Sequence, residues 1–290
     1  AREMSRVHKP HRWQWLWLIP AALLVWWPLW FLFMGALMSQ EELRLTIGPA
    51  LGLGTGYTVW HLLPDWPTLE PLLTLLLDTP QFFVMFCNSI GQSVAQVDGN
   101  LLVGAPAAWA ISRLRFRGRS MVRGLYIVLM LLPFQVTMVP SYLVLRQFGL
   151  LDTPWAIILP GIFSTFPVFI MERGFDTIPR EVLESASIDG ANQWQRFWRI
   201  GIPLGIPGLI SALTLGFLDA WNAIEQPMTF LESPQYWPLS LFFTDPANLD
   251  TKQLGLAMAA SLWMLLPSIL VFRFGQTYLE AGLTKGAVKG

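Results

Sequence analysis

Long charge-free apolar runs recur along this chain and decide what it folds into more than any other feature. The run from Trp13 to Gln40 contains no Asp, Glu, Lys or Arg. A helix needs about 20 mostly apolar residues to cross a bilayer. Six stretches qualify, roughly 14–38, 82–111, 124–146, 154–175, 201–223 and 255–279. The chain is 53% hydrophobic and 13% charged, where an ordinary soluble domain is roughly 25% charged. The expected fold class is therefore all-α integral membrane, with six transmembrane helices. The first run is too long for a signal h-region and lacks a convincing cleavage site, so it reads as a retained helix.

Charge sets the orientation. Cytoplasmic segments of membrane proteins are enriched in Lys and Arg. Of the 19 such residues, only Arg44, Arg146 and Lys252 fall in the alternate connections. The rest lie in the N-terminal stretch, in 113–123, in 173–199 and at the C-terminal end, as Arg273, Lys285 and Lys289. Both termini and the connection between the fourth and fifth runs are expected on the cytoplasmic side. The Arg113–Arg123 cluster beside a span reads as topogenic, so no nucleic-acid partner is expected; the lipid bilayer is. Division near residue 80 is expected: 1–80 holds the N-terminal tail, the first span and a long, acidic, Gly- and Pro-broken external segment, and 81–290 forms the core with five spans.

Chemistry is sparse. No glycine precedes Lys9, Lys252, Lys285 or Lys289, so the chain has no Walker A loop and no ATP site of that kind. His8, His11 and His61 show neither zinc-ligand spacing nor a catalytic triad. The single cysteine, Cys87, excludes an internal disulfide. No catalytic residue, metal ligand or bound cofactor is expected.

Polar groups inside the runs need partners, because lipid offers none. Asn88, Gln92, Gln96 and Asn100 recur every fourth residue of the second run and share one helix face. They read either as a path for a hydroxylated substrate, since amides donate and accept, or as interhelical hydrogen bonds. Asp219 and Asn222 form a second polar pair. Asp98 lies off the stripe. As acids within spans, Asp98 and Asp219 keep a gradient-driven secondary transporter open as an alternative.

The segment 177–203 reads as a short helix in water. Pro179 suits its first turn, Glu181 and Glu184 favour the helix dipole, and Gly190 permits a left-handed end. About ten residues are too few for stability alone, so docking is expected, with Val182 and Ala186 on one face.

Within this segment Glu184-Ser185-Ala186, Gly190 and Ile200-Gly201-Ile202-Pro203 form a spaced pattern. The pattern resembles the signature loop of ABC importer permeases, with Ser185 for Ala and Ile202 for Leu. Leu132–Pro140, Gly149–Asp152, Leu159-Pro160-Gly161, Trp221-Asn222 and the tail Gly282–Gly290 are similar to the maltose-type branch and its six-span subunit. The resemblance implies a permease of the bacterial or archaeal inner membrane that imports disaccharides, oligosaccharides or related polyols. It implies a second permease as heterodimer partner, two ATP-binding subunits that hold ATP and magnesium, and an extracytoplasmic solute-binding protein. It further implies that Glu181, Val182, Glu184, Ser185, Ala186, Asp189 and Gly190 form a cytoplasmic coupling helix against the ATPase. Gly282, Leu283, Thr284, Lys285 and Gly286, within the tail 282–290, would form a second docking element.

Overall fold

The structure is a computed structural model that describes residues 12–51, 57–59, 61–242 and 254–287. Regular structure among these residues is helical throughout. Four helices are long and apolar enough to cross a membrane, and up to six if each of two bent helix pairs is one span. The chain divides into two compact units, one of residues 1–79 with 245–263 and one of 80–244 with 264–290.

In the first unit, α1 (Arg12–Gly35) runs through the first apolar stretch, and its described tryptophans are largely exposed. The segment after it is less loop-like than its glycines and prolines suggest. Helix α2 (Gln40–Ile47) starts at Ser39, whose hydroxyl accepts from the Glu42 N–H at 3.3 Å. Met34, Met38 and Leu43 form a small core with Ile47 and Leu254. The short α3 (Glu70–Leu73) passes into a π-helical turn.

In the second unit α4 (Pro80–Arg113) is the central element. It is followed by α5 (Arg119–Leu131) and α6 (Phe134–Gln147), which meet at a 104° bend. The third apolar run is therefore not one straight helix. Pro133 lacks the N–H that would continue the ladder and takes up extended backbone, φ −67° and ψ 151°. The fourth run is also interrupted, as α7 (Trp155–Ile162) and α8 (Thr165–Asp176). Next come α9 (Arg180–Ile188) and α10 (Gln193–Arg196), which continues through a π turn into α11 (Ile202–Asn222). The short α12 (Glu225–Phe230) follows. Helix α13 (Leu254–Ala287) contributes to both units, and its backbone stays helical through residues 282–287, beyond the expected end near Tyr278.

Glycine lets α8 and α11 touch backbone to backbone. A Cβ on Gly174 would lie 2.7 Å from the Gly208 Cα, and one on Gly208 only 2.5 Å from the Gly174 Cα. Small residues at such crossings maximise van der Waals contact where lipid supplies no hydrophobic drive. Beside this crossing Trp109, Phe175 and Phe197 form a buried aromatic trio, with centroids 5.3 Å apart for Trp109–Phe175 and 5.8 Å for Trp109–Phe197. The Trp109–Phe175 pair is edge-on, and such pairs add about 0.5–1.5 kcal/mol beyond area burial. Gly201 and Gly205 leave room for the trio, since a Cβ on either would lie 2.6 Å from Trp109 or Phe175.

Candidate functional site

Two places in the second unit bring the sequence-selected residues together. The first is a cavity of about 1060 Å³ between α4, α5, α6, α7, α8, α11 and α12. Gln96, Asn100, Asp219 and Asn222 line it, joined by Thr137, Ser141, Glu225 and Gln226 and by the aromatic rings of Phe134, Phe163 and Phe166. Hydrogen-bonding side chains and aromatic rings thus share the lining of one cavity. The Gln135 amide donates to Glu225 at 2.7 and 2.9 Å, tying the start of α6 to α12 on one wall.

The α4 stripe splits along its length. Asn88 donates to the carbonyls of Gln235 and Trp237 at 2.8 and 3.1 Å, and Gln92 to that of Tyr236 at 2.9 Å. The Ser89 hydroxyl accepts from the Leu239 N–H at 2.7 Å. This end of the stripe satisfies the backbone of the 233–241 connection and does not line the cavity. Farther along, Gln96 lies against Gly161, where any Cβ would clash with its amide. Asn100 donates to Ile162 and Ser164 carbonyls at 2.9 and 3.0 Å, which are the groups freed at the α7–α8 break. Its buried Oδ1 has no hydrogen-bond partner among the described residues. Asp98 is exposed and lies away from the cavity, and no described cation is paired with Asp219.

The second place is the hairpin around α9. Pro179 stands at the cap position, one residue before the helix, with φ −59° and ψ 138°. The far end is closed on Gly190, at φ +83°. The Ala191 N–H reaches the Ala186 carbonyl at 2.9 Å and the Gly190 N–H reaches Ser187 at 3.1 Å, the paired bonds of a Schellman end. A capping box then restarts the chain: Asn192 Oδ1 accepts from the Gln195 N–H at 2.8 Å and Gln195 Oε1 from the Asn192 N–H at 2.9 Å. Every turn of this hairpin is locally specified, yet α9 buries none of its residues. Glu181, Val182, Glu184, Ser185, Asp189 and Gly190 are exposed and Ala186 is partly so. Leu183 alone on α9 packs against the aromatic core. Ile188 is an apolar side chain that is 87% exposed among the described residues.

The arginines of 113–123 do more than balance charge. Arg113 donates to the carbonyls of Phe175 and Ile178, at the end of α8 and the approach to α9. Arg119 closes the end of α4 through the Ile111 and Ser112 carbonyls, each at 2.6 Å. Arg123 pairs with Glu172, whose side chain is 3% exposed, and reaches Asp176 at 3.3 Å. The Ser112 hydroxyl donates to the other Asp176 oxygen at 2.6 Å. Sequence reasoning missed Glu172 and Asp176. Their i, i+4 spacing on one face was visible, but their partner Arg123 lies 49 and 53 residues away. For Gly282–Gly286 the backbone is helical and the side chains lie outside the described set; Val288, Lys289 and Gly290 lie outside it altogether, as do residues 1–11 with His8 and His11.

The family described as the binding-protein-dependent transport system inner membrane component matches residues 100–285. The inner membrane ABC transporter permease protein YcjP of Escherichia coli (strain K12) is 33% identical over 234 residues, covering 79% of this chain and 83% of that protein. The arabinooligosaccharides transport system permease protein AraQ of Halalkalibacterium halodurans is 28% identical, covering 78% and 81%. Among solved structures, a bacterial ABC transporter involved in the import of the acidic polysaccharide alginate superposes with a TM-score of 0.73 at 25% identity, covering 91% of this chain and 94% of that one.

Proposed function

Since the chain belongs to the inner-membrane components of binding-protein-dependent transport systems and is a permease subunit of a sugar ABC importer, we propose that it carries disaccharides or oligosaccharides through the α4–α8–α11 cavity under the pull of α9. The observation that carries this reading is the position of α9. It sits in the chain between α8 and α11, both of which line the cavity and touch at Gly174 and Gly208. A displacement of α9 therefore moves two cavity walls as one pair. The exposed surface of α9 supplies the docking face, with Val182 and Ile188 as apolar contacts and Glu181, Glu184 and Asp189 as charged ones.

In this reading ATP and magnesium reside on two partner ATP-binding subunits, and a second permease completes the translocation path as a heterodimer. A solute-binding protein delivers sugar from outside, consistent with the family description. In this reading there are six spans, each bent pair counted once, so both termini and α9 share one side, and the excess of Lys and Arg there makes it the cytoplasmic one. Gly282–Gly286 extend α13 toward the same partner. Within the cavity Gln96, Asn100, Asp219 and Asn222 offer donors and acceptors to hydroxyls, and Phe134, Phe163 and Phe166 offer ring faces. Asp219 serves as an acceptor here; the alternative of a gradient-driven carrier through Asp98 or Asp219 has no support from the family.

The test is the assembled complex in vesicles with ATP on the α9 side and loaded binding protein on the other. Labelled oligosaccharide is expected to accumulate, and a proton or sodium gradient without ATP is expected to move none. Gly190→Val places a β-branched residue at a positive φ, at a cost of roughly 1–2 kcal/mol, and should abolish uptake with the protein still inserted. Full uptake by that variant at normal abundance refutes the coupling role of α9.

A further inference from the structure

We propose that Arg123, gripped by Glu172 and Asp176, is a positioning residue that carries the movement of α9 into the bent α5–α6 wall of the cavity. This rests on the coupling role proposed for α9. The argument starts from what holds α5. None of its residues is buried, and its packing on the core is confined to the partly buried Tyr126, which leaves it little grip on its neighbours. Yet the end of α5 and the start of α6 border the cavity through Leu129, Met130, Leu132 and Phe134. Something must make this wall follow the helix pair α8–α11 when they move.

The described polar link between α5 and α8 is Arg123. Its guanidinium donates to Glu172 and to Asp176, one helical turn apart on the last turn of α8. Ser112 at the end of α4 holds the other oxygen of Asp176. Glu172 is buried, and a buried carboxylate is tolerated only when paired and hydrogen-bonded. A packing role alone would be met as well by an apolar pair of the same volume. The charged pair adds direction: a planar guanidinium fixes the angle of two carboxylates as well as their distance. Three residues beyond Asp176 the chain reaches Pro179 and enters α9. Any tilt of α9 is thus passed to the last turn of α8 and, through Arg123, to α5.

The experiment uses the full complex in vesicles, with Arg123→Gln, Glu172→Gln and the double variant Arg123→Met/Glu172→Met, and with Gly190→Val alongside. Subunit stoichiometry, thermal midpoint, basal ATP hydrolysis and hydrolysis stimulated by loaded binding protein are measured. The single variants are expected to lower the thermal midpoint and to cut stimulation at least tenfold, with basal hydrolysis retained. The double variant removes the unpaired charge, so its midpoint and assembly should recover, while stimulation and uptake stay low. Recovery of stimulation together with the midpoint would show that the pair only packs, and would overturn the proposal. So would normal stimulation in both single variants when Gly190→Val has lost it. If Gly190→Val itself keeps full stimulation, the coupling role beneath the proposal fails, and the proposal with it.

Discussion

At the α8–α11 crossing Gly174 and Gly208 bring two backbones into contact, and Val168, Met171, Phe175 and Leu209 around them are buried. At the end of α9 Gly190 turns the chain at φ +83°, and a Cβ there would meet nothing within 4 Å. Both places need glycine, one for what it leaves out and the other for the backbone it allows. The crossing is complete within this chain. The hairpin has its left-handed glycine end and its capping box, but of the α9 side chains Leu183 alone packs against the aromatic core and no residue of the helix is buried. A helix of nine residues gains most of its stability from packing in ordinary proteins, and the docking proposed for α9 would supply the packing that this chain does not. In that reading rigid transmission and external docking occupy adjacent parts of one continuous segment.

Four substitutions sharpen this contrast. The largest effect is expected at the crossing. Gly208→Val would set its Cβ into the Gly174 backbone, which cannot swing aside as a side chain can. Overpacking usually costs about 1–3 kcal/mol, and with backbone on both sides the top of that range is expected. The complex should lose thermal stability and accumulate poorly in the membrane, as read by quantitative blotting. Normal abundance and normal stability would mean the helices are not in contact there.

A smaller loss is expected at Asn100, whose two donors serve the carbonyls freed at the α7–α8 break. Asn100→Ala leaves them unmet, at a cost of about 1–3 kcal/mol. Asn88→Ala, at a more exposed site on the same stripe, should cost less than about 1 kcal/mol. Thermal midpoints of the two complexes, measured side by side, should fall in that order. Equal losses would mean the stripe is uniform along its length.

The smallest effect lies in the turn before α7. The Ser233 hydroxyl, with the backbone N–H groups of Ser233 and Glu232, holds the Asp152 carboxyl below its usual range. Because the folded-state value is depressed, the stabilisation is fully present above the ordinary carboxylate value of about 4. It is lost as pH falls through the lower folded value. Asp152 has φ 55°, which Asn also tolerates, so Asp152→Asn reads the charge and its acceptors alone. The variant should be slightly less stable than the parent at neutral pH, with the gap closing on acidification. A gap independent of pH would contradict this account of the turn.

Much of this architecture was legible in the sequence. Apolar runs announced the long helices, Gly190 its left-handed turn, and the four-residue spacing of Asn88 to Asn100 a single face. These features are local, so periodicity and single-residue conformational preference expose them. The Asn192–Gln195 capping box was equally local and went unread. Helix α2 was hidden by its setting: Ser39 and Glu42 have the spacing of a capping box, but the Glu42 carboxylate accepts from the Asp65 N–H instead, and glycines and prolines follow closely. The bend at Pro133 was signalled by the proline, but its 104° angle depends on how α5 and α6 pack. The Gly174–Gly208 contact and the Arg123–Glu172 pair join residues far apart in sequence. Only the crossing of the helices brings them together, and no local pattern encodes that.

The central claim is that the bare face of α9 is covered by an ATP-binding subunit. Its most direct test is a photo-cross-linking amino acid placed at Val182, and separately at Ile188, in the intact complex. Irradiation should join this chain to the ATP-binding subunit from both positions, with a yield that changes when ATP is added. Adducts only to lipid or none to that subunit, in a complex shown by stoichiometry to be intact, would contradict the account.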